Sequence, residues 1–164
     1  RFDELMVKVK TLEQTKLNKV NTTLEATNVK ESIVEGSKNQ QYKLGSEKVQ
    51  VLLDKLQKLE STNYFLRKDC SLHNTAKKLK TNTSYLSKVV NTHLEKSFST
   101  YINELRINYA IVELKNNKRL RSYSIKAIAE EIGYKNSDAF GRYFKAETGL
   151  TPSVYIKKVQ NENL

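Results

Sequence analysis

Apolar residues spaced three and four apart run through most of this chain, and that period predicts helices rather than strands. Val49, Leu52, Leu53, Leu56 and Leu59 form one such stripe, which predicts a packed helix over Glu47 to Ser61. Ser71 stands as a cap ahead of Leu72, Ala76 and Leu79, and Asn82 or Thr83 as a cap ahead of Leu86, Val89 and Val90. A longer helix is predicted from about Phe98 to Asn116, with Phe98, Tyr101, Ile102, Leu105, Tyr109 and Val112 on one face. Lys118 to Tyr123 reads as a basic connector, after which Ser124 caps a helix that turns Ile125, Ile128, Ala129 and Ile132 inward. Gly133 supplies a left-handed turn residue, and Asn136 caps a helix anchored by Phe140, Tyr143 and Phe144. Gly149 ends that helix, and Thr151 with Pro152 opens a final one through Tyr155 and Ile156.

The N-terminal quarter reads differently. Phe2, Leu5, Val9 and Leu12 make a helical stripe, but it covers fewer than three heptads. It therefore reads as a packing stripe, with dimerisation through residues 1–20 left open. Asn18 to Asn28 is rich in Asn and Thr, which compete with helix by bonding their own backbone. Gly36 to Gly45 (GSKNQQYKLG) has the composition of a flexible linker and places a domain boundary near residue 45.

Beyond that boundary one pattern occurs twice: Thr75 to Ile102 recurs at Ile128 to Ile156. Ala76, Leu79 and Ser84 meet Ala129, Ile132 and Ser137 at an offset of 53; Leu86, Lys88, Val90, Tyr101 and Ile102 meet Phe140, Arg142, Phe144, Tyr155 and Ile156 at 54. Each copy reads as a short helix, a tight turn and a second helix, one supersecondary unit used twice. The predicted organisation is an all-α chain: an N-terminal segment over 1–45, a first helix-turn-helix subdomain over 46–97, a linker helix over 98–117 and a second helix-turn-helix subdomain over 118–164. Five Gly and one Pro among 164 residues argue against an all-β fold.

Charge sharpens this into a function. Of the formal net charge of +11, residues 1–45 hold +2 (eight Lys/Arg, six Asp/Glu), so +9 lies on the repeated part, as an electrostatic footprint for phosphate requires. A helix-turn-helix lays its second helix in the major groove, so that helix must expose polar side chains and hide apolar ones behind. Over about 83–94 the exposed set is Thr83, Ser84, Ser87, Lys88 and Asn91; over about 137–147 it is Ser137, Asp138, Gly141, Arg142 and Lys145. Arg142 and Lys88 suit guanine, because a long cation reaches its O6/N7 acceptor pair, and Asn91 suits adenine or a phosphate. Ser87 and Gly141 let the backbone approach closely. Asp138 reads better as a partner of the helix dipole than of cytosine. Asn136 borders the second reader, and Lys118, Arg119 and Arg121 lie between the two, placed for phosphate contact or simple solvation. Arg106 is expected to hold the linker helix through a local ion pair.

Several classes are disfavoured. No paired carboxylates, nucleophile elbow or phosphate loop point to an enzyme, and no cofactor motif occurs. His73 and His93 stand apart from any ligand-spaced residue, so no metal is expected. Cys70 is the single cysteine, which favours a reducing, cytoplasmic setting; its basic surroundings (Arg67, Lys68) predict a lowered thiol pKa. No stretch is apolar enough to span a bilayer, no signal peptide is evident, and a start at Arg1 suggests a piece of something longer.

From about Ser46 to Val159 the chain resembles the DNA-binding domain of the AraC/XylS family of bacterial transcription regulators. The likeness rests on Ile128-Ala129, Gly133-Tyr134, Ser137, Phe140, Arg142, Phe144-Lys145, Gly149, Thr151-Pro152 and Tyr155, with SYLSKVV and SFSTYINELRINYA resembling the family's first reader and linker helix. The resemblance implies seven helices in two homeodomain-like subdomains joined by a long helix, and double-stranded DNA as partner. Departures stand at Glu95, where the family has Gly, at Lys80, which matches Gly133, and at Ile156, where an Arg often follows the final Tyr. The first copy's turns are accordingly expected to be built differently. Arg1 to Gln14 is similar to a juxtamembrane piece found in one branch of the family, which would tether the domain to the inner membrane face behind a sensor. RNA polymerase is a further partner open to such a regulator. The competing reading is a basic helical adaptor that docks an acidic protein such as a polymerase subunit.

Overall fold

The caps expected at Ser71, Asn82, Ser124 and Asn136 are made, and Ser97 adds one that was not expected. Side-chain oxygens of Ser71, Asn82, Ser97, Ser124 and Asn136 each accept from the amide three residues on, at 3.2, 2.7, 3.1, 3.1 and 2.8 Å. In each case one of the four amide donors left over at a helix start gains a partner. The computed structural model describes Thr11, Gln14 and residues 37–162; the Phe2/Leu5/Val9/Leu12 stripe and the proposed juxtamembrane piece lie outside the residues that define the fold. The helices are α1 (Ser37–Ser61), α2 (Leu72–Lys78), α3 (Thr83–Leu94), α4 (Phe98–Asn116), α5 (Lys118–Arg121), α6 (Ile125–Glu131), α7 (Ser137–Thr148) and α8 (Pro152–Glu162), with a 3-10 turn at Tyr64–Leu66. No strand occurs among the described residues. The one helix beyond the seven expected is α5, a single turn in the basic connector.

Two sequence expectations about helices need correction. The stretch from Ser37 to Gly45 is the start of α1 and not a flexible linker. Leu52 and Leu56 are buried and anchor the C-terminal half of α1, and once a helix is nucleated each added residue gains a hydrogen bond. Gly45 is exposed and a Cβ there would meet nothing within 4 Å, so it neither packs nor breaks the helix. The long helix α4 also has two working faces rather than one. Phe98 and Ile102 belong to a first core with Leu52, Leu56, Leu86 and Val90, whereas Ile107, Ala110, Ile111, Val112 and Leu114 belong to a second with Ile128, Phe140, Phe144 and Tyr155.

The shared helix reveals a longer repeat than the sequence shows. α1, the 3-10 turn, α2, α3 and α4 follow one another as α4, α5, α6, α7 and α8 do again. At the offset of 54 Asn63 meets Asn117, and both are N-caps by position. Tyr101 and Tyr155 each return a hydroxyl to the helix that opens their own unit, Tyr101 to Glu60 Oε2 (3.2 Å) and Tyr155 to the Ile111 carbonyl (3.1 Å). Thus α4 closes the first unit and opens the second.

The turns of the two units are built alike, contrary to expectation. Lys80 and Gly133 both have positive φ (56° and 94°), as do Glu95 and Gly149 (54° and 74°). Thr81 donates its amide to the Ala76 carbonyl at 2.9 Å, and Tyr134 donates to Ala129 at the same distance. The first unit adopts the same left-handed turns with side chains that disfavour them, at a cost of about 1 kcal/mol each.

Arg106 corrects a fourth expectation. It is buried on α4 and donates from Nε to the Phe65 carbonyl (2.7 Å) and from Nη2 to the Arg67 carbonyl (2.9 Å), so it holds backbone oxygens instead of a local carboxylate.

Candidate nucleic-acid interface

Each unit presents its second helix, α3 or α7, outward over a buried row. On α3 the row is Leu86, Val89 and Val90; on α7 it is Phe140, Phe144 and Thr148. Because residues three and four apart share a face, hiding these rows leaves Ser84, Lys88 and Asn91 exposed on α3, with Thr83 and Ser87 half-buried beside them. On α7 the same geometry exposes Asp138, Arg142 and Lys145 and half-buries Ser137 and Gly141. Each reader's predicted residues therefore come together on one surface.

The charges on those surfaces are unspent. Lys88, Asn91, Arg142 and Lys145 make no side-chain hydrogen bond or ion pair among the described residues. Exposed cations left without a carboxylate keep their full field for an incoming anion. Lys118 and Arg119, exposed on α5, are in the same condition.

Gly141 stands out for the opposite reason. A Cβ there would meet nothing within 4 Å, so packing does not require the glycine. A glycine inside a helix costs roughly 0.5–1 kcal/mol relative to alanine. Its presence beside Arg142 fits a surface that something else approaches closely.

Three predicted or neighbouring residues have other duties. Arg121 donates from Nη1 to the carbonyls of Leu114 (2.9 Å) and Lys115 (2.7 Å), closing the C-terminus of α4, so one nitrogen of its guanidinium is tied to the fold. Asn136 spends its Oδ1 on the α7 cap. Cys70 is not activated: burial pushes its thiol pKa up, against the lowering expected from Arg67 and Lys68. Burial also opposes the charge on Arg106 and lowers its pKa.

One surface residue escaped the sequence reading. Tyr143, assigned by its apolar character to the core, is 43% exposed on α7, its ring 6.1 Å from that of Tyr134. A tyrosine hydroxyl held at the flank of a reader is a donor for phosphate. Its place three residues after Phe140 points toward the buried row, so the spacing alone gave no sign of its exposure.

Comparison with known proteins agrees with this geometry. The family profile described as a helix-turn-helix domain matches residues 75–158, which is 84 of the 164 residues. The chain is 37% identical over 78 residues to the uncharacterized transcriptional regulatory protein YesN of Bacillus subtilis, covering 47% of the chain and 20% of that relative. It is 33% identical over 90 residues to the Msm operon regulatory protein of Streptococcus mutans, covering 55% and 31%. Among solved structures it is similar to the C-terminal domain of AraT, a response regulator from Geobacillus stearothermophilus, with a TM-score of 0.56 and 25% identity over 66% of this chain and 84% of that one. The chain spans less than a third of the length of either curated relative. With the matched residues covering both readers and the helix between them, the chain belongs to the AraC/XylS family of helix-turn-helix transcription regulators.

Proposed function

We propose that this chain is the DNA-binding part of a transcription regulator and that α3 and α7 enter two successive major-groove segments on one side of a duplex. The observation that carries this reading is the pair of alike readers, each with an unspent cation, Lys88 and Arg142, set on one shared helix. The 19 residues of α4 span about 28 Å at ~1.5 Å per residue, close to the ~34 Å between successive major-groove faces. A single chain can then read a two-part site without dimerising.

Within that arrangement Arg142 and Lys88 address guanine, and Asn91 addresses adenine or a phosphate. Ser84, Ser137 and the small Ser87 and Gly141 shape the surface, while Lys118, Arg119, Lys145 and Tyr143 hold the backbone. The adaptor alternative gains nothing from the structure, since a protein-docking helix would expose aromatic or large apolar groups where Ser84, Ser87 and Lys88 stand.

Selection of bound sequences from random duplex DNA tests the reading. The expected result is a bipartite motif with half-sites about one helical turn apart and an affinity that falls steeply with salt as counterions are released. Recovery of no motif, or of a single half-site, would sink it.

A further inference from the structure

The seam between the two units contains a contact without counterpart elsewhere in the repeat. Gly133, in the turn of the second unit, lies so close to the first that a Cβ on it would stand 2.4 Å from the Leu66 carbonyl oxygen, 2.8 Å from its carbon and 3.1 Å from Arg106 Nε. No side chain fits there, and the φ of 94° would strain one in any case. In the first unit Lys80 occupies the same turn position and is exposed. The glycine at 133 therefore serves a close approach between units.

Arg106 sits at the centre of that approach. Its guanidinium bonds the Phe65 and Arg67 carbonyls of the first unit and lies 5.3 Å from the ring centre of Tyr134 in the second. Tyr134 in turn packs on Phe140 and Tyr143 of α7, at 5.6 and 6.1 Å between ring centres. A continuous path thus runs from the first unit's connector through one guanidinium to the second reader. A planar fork with donors in fixed directions defines an angle as well as a distance, which a single ammonium does not. At the equivalent position in the first unit stands Leu52, which only packs.

We infer that Arg106 is a positioning residue that sets base-pair spacing: by clamping the 64–67 connector to the Gly133-Tyr134 turn, it fixes the distance and angle between α3 and α7, so the protein rejects two-part sites whose halves are displaced by one base pair. The inference rests on the two-reader reading of function. One extra base pair moves a half-site by about 3.4 Å and turns it by roughly a tenth of a turn, which a rigid seam cannot follow.

The test compares wild type with Arg106→Met and Arg106→Lys in two measurements. In the free protein, spin labels at the exposed positions Thr92→Cys and Ala146→Cys, in a Cys70→Ser background, report the α3 to α7 distance distribution. Wild type is expected to give one narrow distribution and both variants a broader one. The second measurement is affinity for the selected duplex and for versions with one base pair added or removed between the halves. Wild type is expected to lose about tenfold or more on displaced sites, as for a mismatched pair, and the variants about threefold or less, with single half-site binding unchanged. Arg106→Lys keeps the charge and stem, so it carries the test should the methionine variant fail to melt cooperatively. Distributions and spacing penalties equal to wild type in a cooperatively folded variant overturn the inference. A wild type indifferent to two-part sites overturns the functional reading instead, and the label distances still decide whether Arg106 is the clamp.

Discussion

The two units share an element order, caps and turn hydrogen bonds, yet they are punctuated by different residues. Lys80 and Glu95 hold left-handed turns in the first unit; Gly133 and Gly149 hold them in the second. Glycine's permissive backbone does not fully explain the difference, because the first unit makes the same turns without it. What separates Gly133 from Lys80 is a neighbour: the first turn faces solvent, whereas the second presses on the Leu66 backbone. Equivalent positions in a duplicated fold diverge when one copy is packed against the other.

That contrast can be broken by substitution. Gly133→Ala should cost about 2–3 kcal/mol or more in urea unfolding, since the added methyl overlaps backbone on the far side of the seam. Lys80→Gly should do the reverse and stabilise by about 1 kcal/mol. If Gly133→Ala proved harmless, the seam would not be what distinguishes the turns.

The readers offer the next largest contrast. Arg142→Ala should lower affinity for the selected site by about 1–3 kcal/mol, roughly five- to 150-fold by fluorescence anisotropy, and relax preference at one base pair. Lys88→Ala, with a shorter reach and no fork, should cost less, on the order of 1 kcal/mol, and more evenly across sequences. Equal losses with equal relaxation would make the readers interchangeable.

The caps should show no contrast. Asn82→Ala and Asn136→Ala should each remove about 1 kcal/mol of stability in thermal unfolding, because both make the same bond at nearly the same distance. A clearly larger loss at Asn136 would mean that its side chain has a second role in the free protein. The smallest expected effect is Gly141→Ala, a gain of roughly 0.5–1 kcal/mol in stability with weaker DNA binding. A gain in stability with no change in binding would remove the close-approach reading of that position.

Much of this was legible in the chain. Helix boundaries at Asn82, Ser124, Asn136 and Gly149 followed from local chemistry, and local chemistry acts on the residues that carry it. The readers' faces followed from the period of their apolar rows. What escaped was set by partners distant in sequence. The second face of α4 was hidden because Ile107, Ala110 and Ile111 find their neighbours in α6 to α8, outside any window centred on α4. Arg106 was misread because carbonyl acceptors leave no mark on a sequence, whereas carboxylates do. Tyr143 was misplaced because its apolar ring belongs to the surface here, and the start of α1 because polar Gly-bounded residues can still extend a helix anchored further on.

The helix common to both units also restricts how such a protein can change in length. Inserting one residue into α4 between Ile102 and Ile107 would rotate everything after it by ~100° and advance it by ~1.5 Å. Each core would keep its own stretch of α4, but the second unit would swing round the helix axis and the contacts of Arg106 with the Phe65 and Arg67 carbonyls would not survive. Additions near seven or eleven residues, two or three full turns, return the units to their relative orientation. The separation of the readers is therefore a quantity this architecture can alter only in large steps.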